Sequence, residues 1–164
     1  MTGNKSYGGK TSERKENHAA KRVEIVSVKL CRESSILYEQ RQVQNPGDAA
    51  RLVEGFLADS DREMIMAVCL DTKHQPTAIT TVSVGTLNSS LVHPREVFKS
   101  AIVAGAASII VAHNHPSGDP APSRDDINVT KWLKEAGDIL GIGVLDHIII
   151  GDGCYVSLKA KDLL

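Results

Sequence analysis

The sequence contains, from Ile109 to Asp126, the segment IIVAHNHPSGDPAPSRDD. Its first four residues are fully apolar, which predicts a short buried strand that ends at His113. A loop with three prolines follows, and Ser123 is placed to begin a long helix that continues to Leu140. The segment therefore predicts a strand, a proline-braced loop and a helix, in that order.

Three side chains of this segment, His113, His115 and Asp126, are candidate metal ligands. Residues i and i+2 of a strand point to the same side, so both imidazoles can converge on one point. Asp126 falls in the first turn of the predicted helix, and the proline-rich loop can hold it near the histidines at low entropic cost. Two histidines and a carboxylate form a zinc set that leaves a fourth tetrahedral position for water, as in hydrolytic sites.

The same residues also have an explanation without a metal. Two histidines in a loop are often polar surface residues. Ser123-x-x-Asp126 resembles a capping box, in which the acid occupies the third helical position. An acid at that place is favoured by the helix dipole without any ion. The capping role and the ligand role are compatible, so the spacing alone leaves both open.

The rest of the chain predicts an α/β (mixed α+β) domain, in which a curved mixed sheet is flanked by helices. Two further helices are predicted, at residues 48–58 and from Pro94 to about Ala106. Residues 85–90 are predicted to form a loop. Further strands are predicted at Val23–Val28, Ile36–Val43, Glu63–Leu70, Thr77–Val84, His147–Ile150 and Cys154–Val156.

The chain divides into a tail and one domain. Residues 1–22 are polar and lack periodic apolar positions, which predicts a disordered, mildly basic tail. Residues 23–164 are predicted to form the domain. The basic excess of the tail can contact nucleic acid, but a solvated tail is the favoured interpretation.

Composition excludes several classes of protein. A net charge of −1 gives no strong field for nucleic acid or membranes, and an aromatic content of 4% leaves few rings for stacking on bases. Three distant cysteines offer neither a disulfide framework nor a zinc knuckle. No apolar run is long enough to cross a bilayer, and the N-terminus has no apolar signal core. We therefore expect a cytoplasmic protein.

The metal-ligand segment resembles the JAMM (JAB/MPN) metalloprotease motif. That motif is His-x-His-Pro, six residues, then Ser-x-x-Asp, and His113–Pro116 followed by Ser123–Asp126 matches its spacing at every position. The resemblance covers roughly residues 45–164 and is closest to the RadC branch of the family. Three further segments carry it in the same order: Gly85–Asn88, His93–Glu96 and Asp146–Ile149.

The resemblance implies a fold, a cofactor and site residues. The fold is the cytidine-deaminase-like JAB/MPN fold, and one zinc ion is implied on His113, His115 and Asp126. Ser123 is implied to stabilise the oxyanion of a tetrahedral intermediate. A glutamate at the start of a core strand is implied as general base, and Glu63 matches that position. A solvated acid is the alternative for Glu63, and Glu96 is its rival, although a first-turn helical acid explains Glu96 better.

The chain departs from the family pattern in two places. Asn114 stands where many JAMM proteases have Ser or Thr, which is the RadC form. We expect a chain of 164 residues to lack the helix-hairpin-helix-like region that precedes the domain in RadC proteins. This puts any association with DNA in doubt.

The sequence is compatible with three functions. The favoured one is a zinc-dependent peptidase or isopeptidase acting on an unknown protein or peptide. A DNA repair-associated protein or metal-dependent nuclease is the second, and an inactive scaffold with the JAMM fold is the third. The sequence predicts neither the specificity nor the oligomeric state.

Overall fold

A computed structural model describes residues 22–85 and 92–164, and in them the predicted mixed α/β fold is confirmed. The helices are α1 (Pro46–Leu57), α2 (Pro94–Val103) and α3 (Arg124–Leu140), followed near the C-terminus by a short 3₁₀ helix (Lys159–Lys161). The strands are β1 (Met64–Leu70), β2 (Pro76–Val84), β3 (Ser108–Asn114), β4 (Gly143–Ile150) and β5 (Tyr155–Ser157).

The five strands form one mixed sheet in the order β2-β1-β3-β4-β5. β3 and β4 are parallel, and the other neighbouring pairs are antiparallel. A parallel pair needs a crossover connection, and α3 supplies it between β3 and β4. The central strand β3 therefore carries its C-terminal end, with His113 and Asn114, to the edge of the sheet where α3 begins.

The sheet is buried on both faces, which explains why β1 and β3 are almost continuously apolar. Met66, Val68 and Leu70 of β1 pack on the α1 side of the sheet. Ile65 and Ala67, which alternate with them, pack on the side that carries α2 and α3. Each face thus has its own apolar cluster, and the two clusters hold the ends of β1 and β3 in fixed register.

The predicted strands Val23–Val28 and Ile36–Val43 are wrong. Neither segment has strand structure, and Ile25 and Val26 are 101% and 79% exposed. β-branched residues favour a strand only when a neighbouring strand satisfies the backbone and a core covers one face. The region attaches to the domain without strand pairing: Tyr38 packs against the α1 side of the core, with its hydroxyl 3.4 Å from Asp48 O, and Val43 N donates to His74 O at 2.9 Å.

Smaller differences concern the ends of elements. α2 ends at Val103 rather than near Ala106, and β4 begins at Gly143, four residues before the predicted start. The predicted tail, apart from residue 22, lies outside the described residues, as does the predicted loop after Gly85. No helix in the described part of the chain has both the length and the hydropathy that crossing a membrane requires.

Candidate metal centre

The three predicted ligands converge where β3 ends and α3 begins. His113 is the penultimate residue of β3, His115 follows the strand, and Asp126 is the third residue of α3. Their ligand atoms all lie within 4.8 Å of one another. The side chains of His113 and Asp126 are fully buried, whereas that of His115 is 15% exposed, so the group opens to solvent on the His115 side.

A capping box places Asp126. Ser123 is the N-cap of α3, and its hydroxyl accepts from Asp126 N at 3.1 Å. The Asp126 Oδ2 atom in turn accepts from Ser123 N at 2.6 Å. The predicted cap and the predicted ligand position therefore coexist, because the cap bonds to Oδ2 and leaves Oδ1 facing His113 Nε2.

The loop between His115 and Ser123 is fixed to the turn that joins β4 and β5. His115 N donates to Ile150 O, and Asp152 N donates to Gly118 O, both at 2.9 Å. Gly118 has a φ of 83°, in the left-handed region that favours glycine. The loop and the β4–β5 turn approach each other so closely that a Cβ at Gly151 would overlap the Gly118 carbonyl oxygen.

The tautomer of His115 follows from its hydrogen bond. Its Nδ1 lies 2.7 Å from the carbonyl oxygen of Asp119, and a carbonyl only accepts. Nδ1 therefore carries the proton and donates it. In the neutral ring, Nε2 then presents its lone pair towards His113 and Asp126.

A chain of hydrogen bonds fixes the tautomer of His113. The Thr130 hydroxyl donates to Asp126 O at 2.6 Å, so it must accept from His147 Nδ1, which lies 2.5 Å away. Burial of the His147 ring, together with the nearby His113, holds the pKa of His147 well below its usual range, so this ring is neutral. Its Nε2 therefore accepts from His113 Nδ1 at 2.8 Å, which leaves the lone pair on His113 Nε2.

Three sets of lone pairs then face one another. The Nε2 atoms of His113 and His115 are 3.0 Å apart. Asp126 Oδ1 lies 3.2 Å from His113 Nε2, and it has no hydrogen bond of good geometry within the described residues. Acceptors this close repel one another unless a cation or proton lies among them. The donor set and the unsatisfied buried oxygen therefore fit a metal ion.

Asp126 is ionised at neutral pH. Burial by itself raises the pKa of this carboxyl, but the positive charge that His113 carries when its Nε2 holds a proton, together with the hydrogen bonds with Ser123, outweighs burial and brings the pKa well below its usual range. A metal ligand must be deprotonated, and Asp126 meets this requirement without an ion present.

Glu63 and Ser123 border the same cleft as the ligands. Glu63 directly precedes β1 and His115 directly follows β3, and the last recorded pair of the two strands, Ile65 with His113, lies two residues from each of them. The cleft has a volume of about 640 Å³. Its lining includes Asp61, Glu63, Gly85, His115, Ser123 and Asp126. The rival Glu96 instead pairs with Lys99 on α2, Nζ to Oε2 being 2.7 Å, and does not line this cleft.

Sequence reasoning gave no structural role to three residues at this centre. His147 and Thr130 support His113, and Asn114 bonds to the backbone of Arg62 and Met64 at the start of β1. Two signals were available for His147: its position at the start of the apolar run of β4 and its place in the family-like segment Asp146–Ile149. Thr130 carried no signal, and Asn114 was noted only as the RadC form of the motif, because their partners His147 and Met64 lie on other elements.

A fold that brings two histidines at the end of its central strand together with an aspartate at the start of α3 defines a candidate metal-site domain, and comparison with known proteins identifies its family. The family model described as "RadC-like JAB domain" matches residues 43–163. The chain therefore belongs to the RadC-like JAB domain family, as the resemblance predicted.

Curated relatives agree with this assignment. A UPF0758 protein of Desulforamulus reducens is 59% identical over 122 residues, which are 74% of this chain and 54% of that protein. A UPF0758 protein of Moorella thermoacetica is also 59% identical over 122 residues, 74% of this chain and 53% of the relative. A UPF0758 protein of Methanosarcina barkeri is 50% identical over 143 residues, 85% of this chain and 62% of the relative. The chain spans about half the length of the first two.

Proposed function

We propose that the protein is a zinc-dependent hydrolase that cleaves an amide bond in a protein or peptide. The observation that carries the proposal is the convergence of lone pairs from His113, His115 and Asp126, with one buried carboxylate oxygen left unsatisfied. Membership of a JAB-domain family supports hydrolysis as the class of reaction.

Zinc is the metal that the donor set favours. Imidazole nitrogen and carboxylate oxygen are both common zinc ligands, and hydrolytic zinc sites use three protein ligands. A bound zinc ion would supply a water of pKa about 7 and polarise the carbonyl of the substrate. His115 and Asp126 both line the cleft, so a zinc ion held by the three residues would be accessible to water and substrate from that side.

The other proposed catalytic residues are Glu63 and Ser123. Glu63 takes a proton from the attacking water and passes it to the leaving amine, as a half-buried carboxylate at the cleft can do. The Ser123 hydroxyl accepts from Asp126 N, which leaves its own proton to donate to a developing oxyanion.

A single metal favours amide hydrolysis over nucleic-acid cleavage. Residues 22–85 and 92–164 contain one cluster of three close ligand groups. Many nucleases instead use two metal ions about 3.5–4 Å apart. Cleavage of DNA without cleavage of peptides would instead indicate a nuclease.

The test is zinc-dependent cleavage of a diverse peptide library, read by mass spectrometry, with Glu63→Gln as the inactivating change. We expect cleavage by the zinc-loaded protein and loss of at least about 100-fold in Glu63→Gln, the usual scale of general acid–base catalysis. Asp125→Ala is the matched control, since Asp125 is an exposed acid next to Asp126 and does not line the cleft. Equal cleavage by wild type and Glu63→Gln, or cleavage of DNA but no peptide, would refute the proposal.

A further inference from the structure

Asn114 stands between the two histidine ligands, but its side chain bonds to a different part of the chain. Its Oδ1 accepts from Met64 N at 2.8 Å, and its Nδ2 donates to Arg62 O at 3.0 Å. Nδ2 is also 3.4 Å from Ser60 O. Asn114 is 3% exposed, so these bonds are shielded from water.

The two shorter bonds bracket Glu63. One is made to the carbonyl of the residue before Glu63 and the other to the N–H of the residue after it. The Glu63 carbonyl itself accepts from Gly85 N at 2.8 Å. The backbone on both sides of Glu63 is therefore tied down, although this segment has no regular strand structure of its own.

An asparagine side chain is suited to this arrangement because its amide, like a peptide group, can both donate and accept hydrogen bonds; it has two N–H donors and one carbonyl acceptor. The regular pairing of β1 with β3 ends at Ile65 and His113. Asn114 extends it by one step, with its side chain in place of a backbone partner. Aspartate has the same shape but only accepts, so its carboxylate would face the carbonyl oxygens of Ser60 and Arg62.

We infer that Asn114 is a positioning residue that fixes Glu63 relative to the metal ligands. The inference rests on the proposed function for its catalytic meaning. Asn114 is bonded covalently to His113 and His115, so the same residue that spaces the ligands also sets the backbone of the proposed base. A displacement of about 1 Å at a reacting group can lower a rate by about 100-fold, so this tether matters for catalysis.

The first measurement is independent of activity. Hydrogen exchange of the Met64 amide, followed by NMR, reports directly on its bond to Asn114 Oδ1. In Asn114→Ala we expect this amide to exchange at least about tenfold faster relative to the Ala67 and Val68 amides of the same strand. One zinc per chain should still bind, because His113 and His115 remain.

The matched control is Asp71→Ala, at the opposite end of β1. Asp71 Oδ1 accepts from Lys73 N at 2.8 Å and from Gln75 N at 2.9 Å, so this change also removes two side-chain bonds to the backbone. It should lower stability without selective exchange at Met64 and without changing kcat.

The second measurement is a double-mutant cycle on kcat. Asn114→Ala should reduce kcat by about 10- to 100-fold with little change in KM, and Asn114→Asp should not restore it. In the Glu63→Gln background the same Asn114→Ala change should have almost no further effect, because the group that Asn114 positions is already gone.

The outcomes separate the two proposals. Unchanged Met64 exchange in Asn114→Ala overturns the inference whether or not the protein is active, and so does an undiminished effect of Asn114→Ala in the Glu63→Gln background. A wild-type protein that binds zinc but cleaves no peptide refutes the proposed function alone. In that case, selective exchange at Met64 still supports Asn114 as the tether of Glu63.

Discussion

Replacing Thr130 with valine tests whether the buried chain Thr130–His147–His113 controls the metal centre. Valine keeps nearly the shape of threonine but removes the hydroxyl that accepts from His147 Nδ1. The Asp126 carbonyl keeps its own helical bond within α3, so His147 Nδ1 is the group left without its partner. Because His147 is 2% exposed, water cannot readily replace the lost bond.

The size of the expected stability loss follows from the burial of His147. An unsatisfied buried donor costs about 1–3 kcal/mol, so Thr130→Val should lower the free energy of unfolding of the metal-free protein by this amount. The His147 ring also loses the bond that fixes its tautomer, and with it the acceptor for His113 Nδ1. Loss of such support for a ligand histidine weakens metal binding by about 10- to 100-fold.

Two assays check these effects separately. Urea unfolding of the metal-free protein gives the stability change, and competition with a chromophoric chelator gives the zinc Kd. The exposed Thr81 on β2 offers a control, since Thr81→Val should change stability by no more than about 0.5 kcal/mol and leave the zinc Kd unchanged. A Thr130→Val protein that loses stability but keeps the wild-type zinc Kd would refute the proposed support of His113.

Two further predictions concern pH and the loop. The pKa of His147 is lowered in the folded state, so the unfolded state binds a proton at this residue first as the pH falls. The metal-free protein should therefore lose stability below about pH 6.5, by up to about 1.4 kcal/mol per pH unit. Urea unfolding at several pH values should show that His147→Gln removes this pH dependence. A Cβ at Gly151 would lie 2.7 Å from Pro120 Cδ, so Gly151→Ala should cost about 1–3 kcal/mol in thermal or urea unfolding. Gly55→Ala in α1, where a Cβ meets nothing within 4 Å, should instead stabilise the protein by about 0.5–1 kcal/mol. Equal effects of the two glycine substitutions would contradict the packing argument for the loop.

The sequence predicted the metal-ligand group because its determinants are local. A strand ending in His-x-His, a short braced loop and a capped helix place His113, His115 and Asp126 together with little help from the rest of the fold. The structure confirms that these three residues come together. The ends of β1 and the position of α3 were also close to the prediction, since their apolar patterns are long and clear.

The supporting residues could not be predicted in the same way because their contacts are distant in sequence. Thr130 and His147 are 17 residues apart, His147 and His113 are 34 apart, and Asn114 reaches Met64 across 50 residues. No spacing rule relates such pairs before the order of strands is known. Glu63 became a candidate through the family resemblance, and the structure shows that it lines the same cleft as His115.

The strands predicted at residues 23–28 and 36–43 are an error of the other kind, because they were predicted but are absent from the structure. Their β-branched and apolar residues satisfy a local preference, yet the described structure provides neither a neighbouring strand nor a covered face for most of them. Strand propensity depends on such partners more than helix propensity does. The prediction failed because strand-favouring residues do not by themselves provide a strand to pair with.

The central claim is that His113, His115 and Asp126 bind zinc, and its most direct test is zinc stoichiometry combined with zinc X-ray absorption spectroscopy on the purified protein. The account predicts one zinc per chain, with two imidazole nitrogens at about 2.0–2.1 Å and oxygen ligands for the rest. It also predicts loss of that zinc in His113→Ala and Asp126→Ala but not in Asp125→Ala. Wild-type protein without stoichiometric zinc after reconstitution, or a zinc ion that remains in both ligand variants, would contradict it.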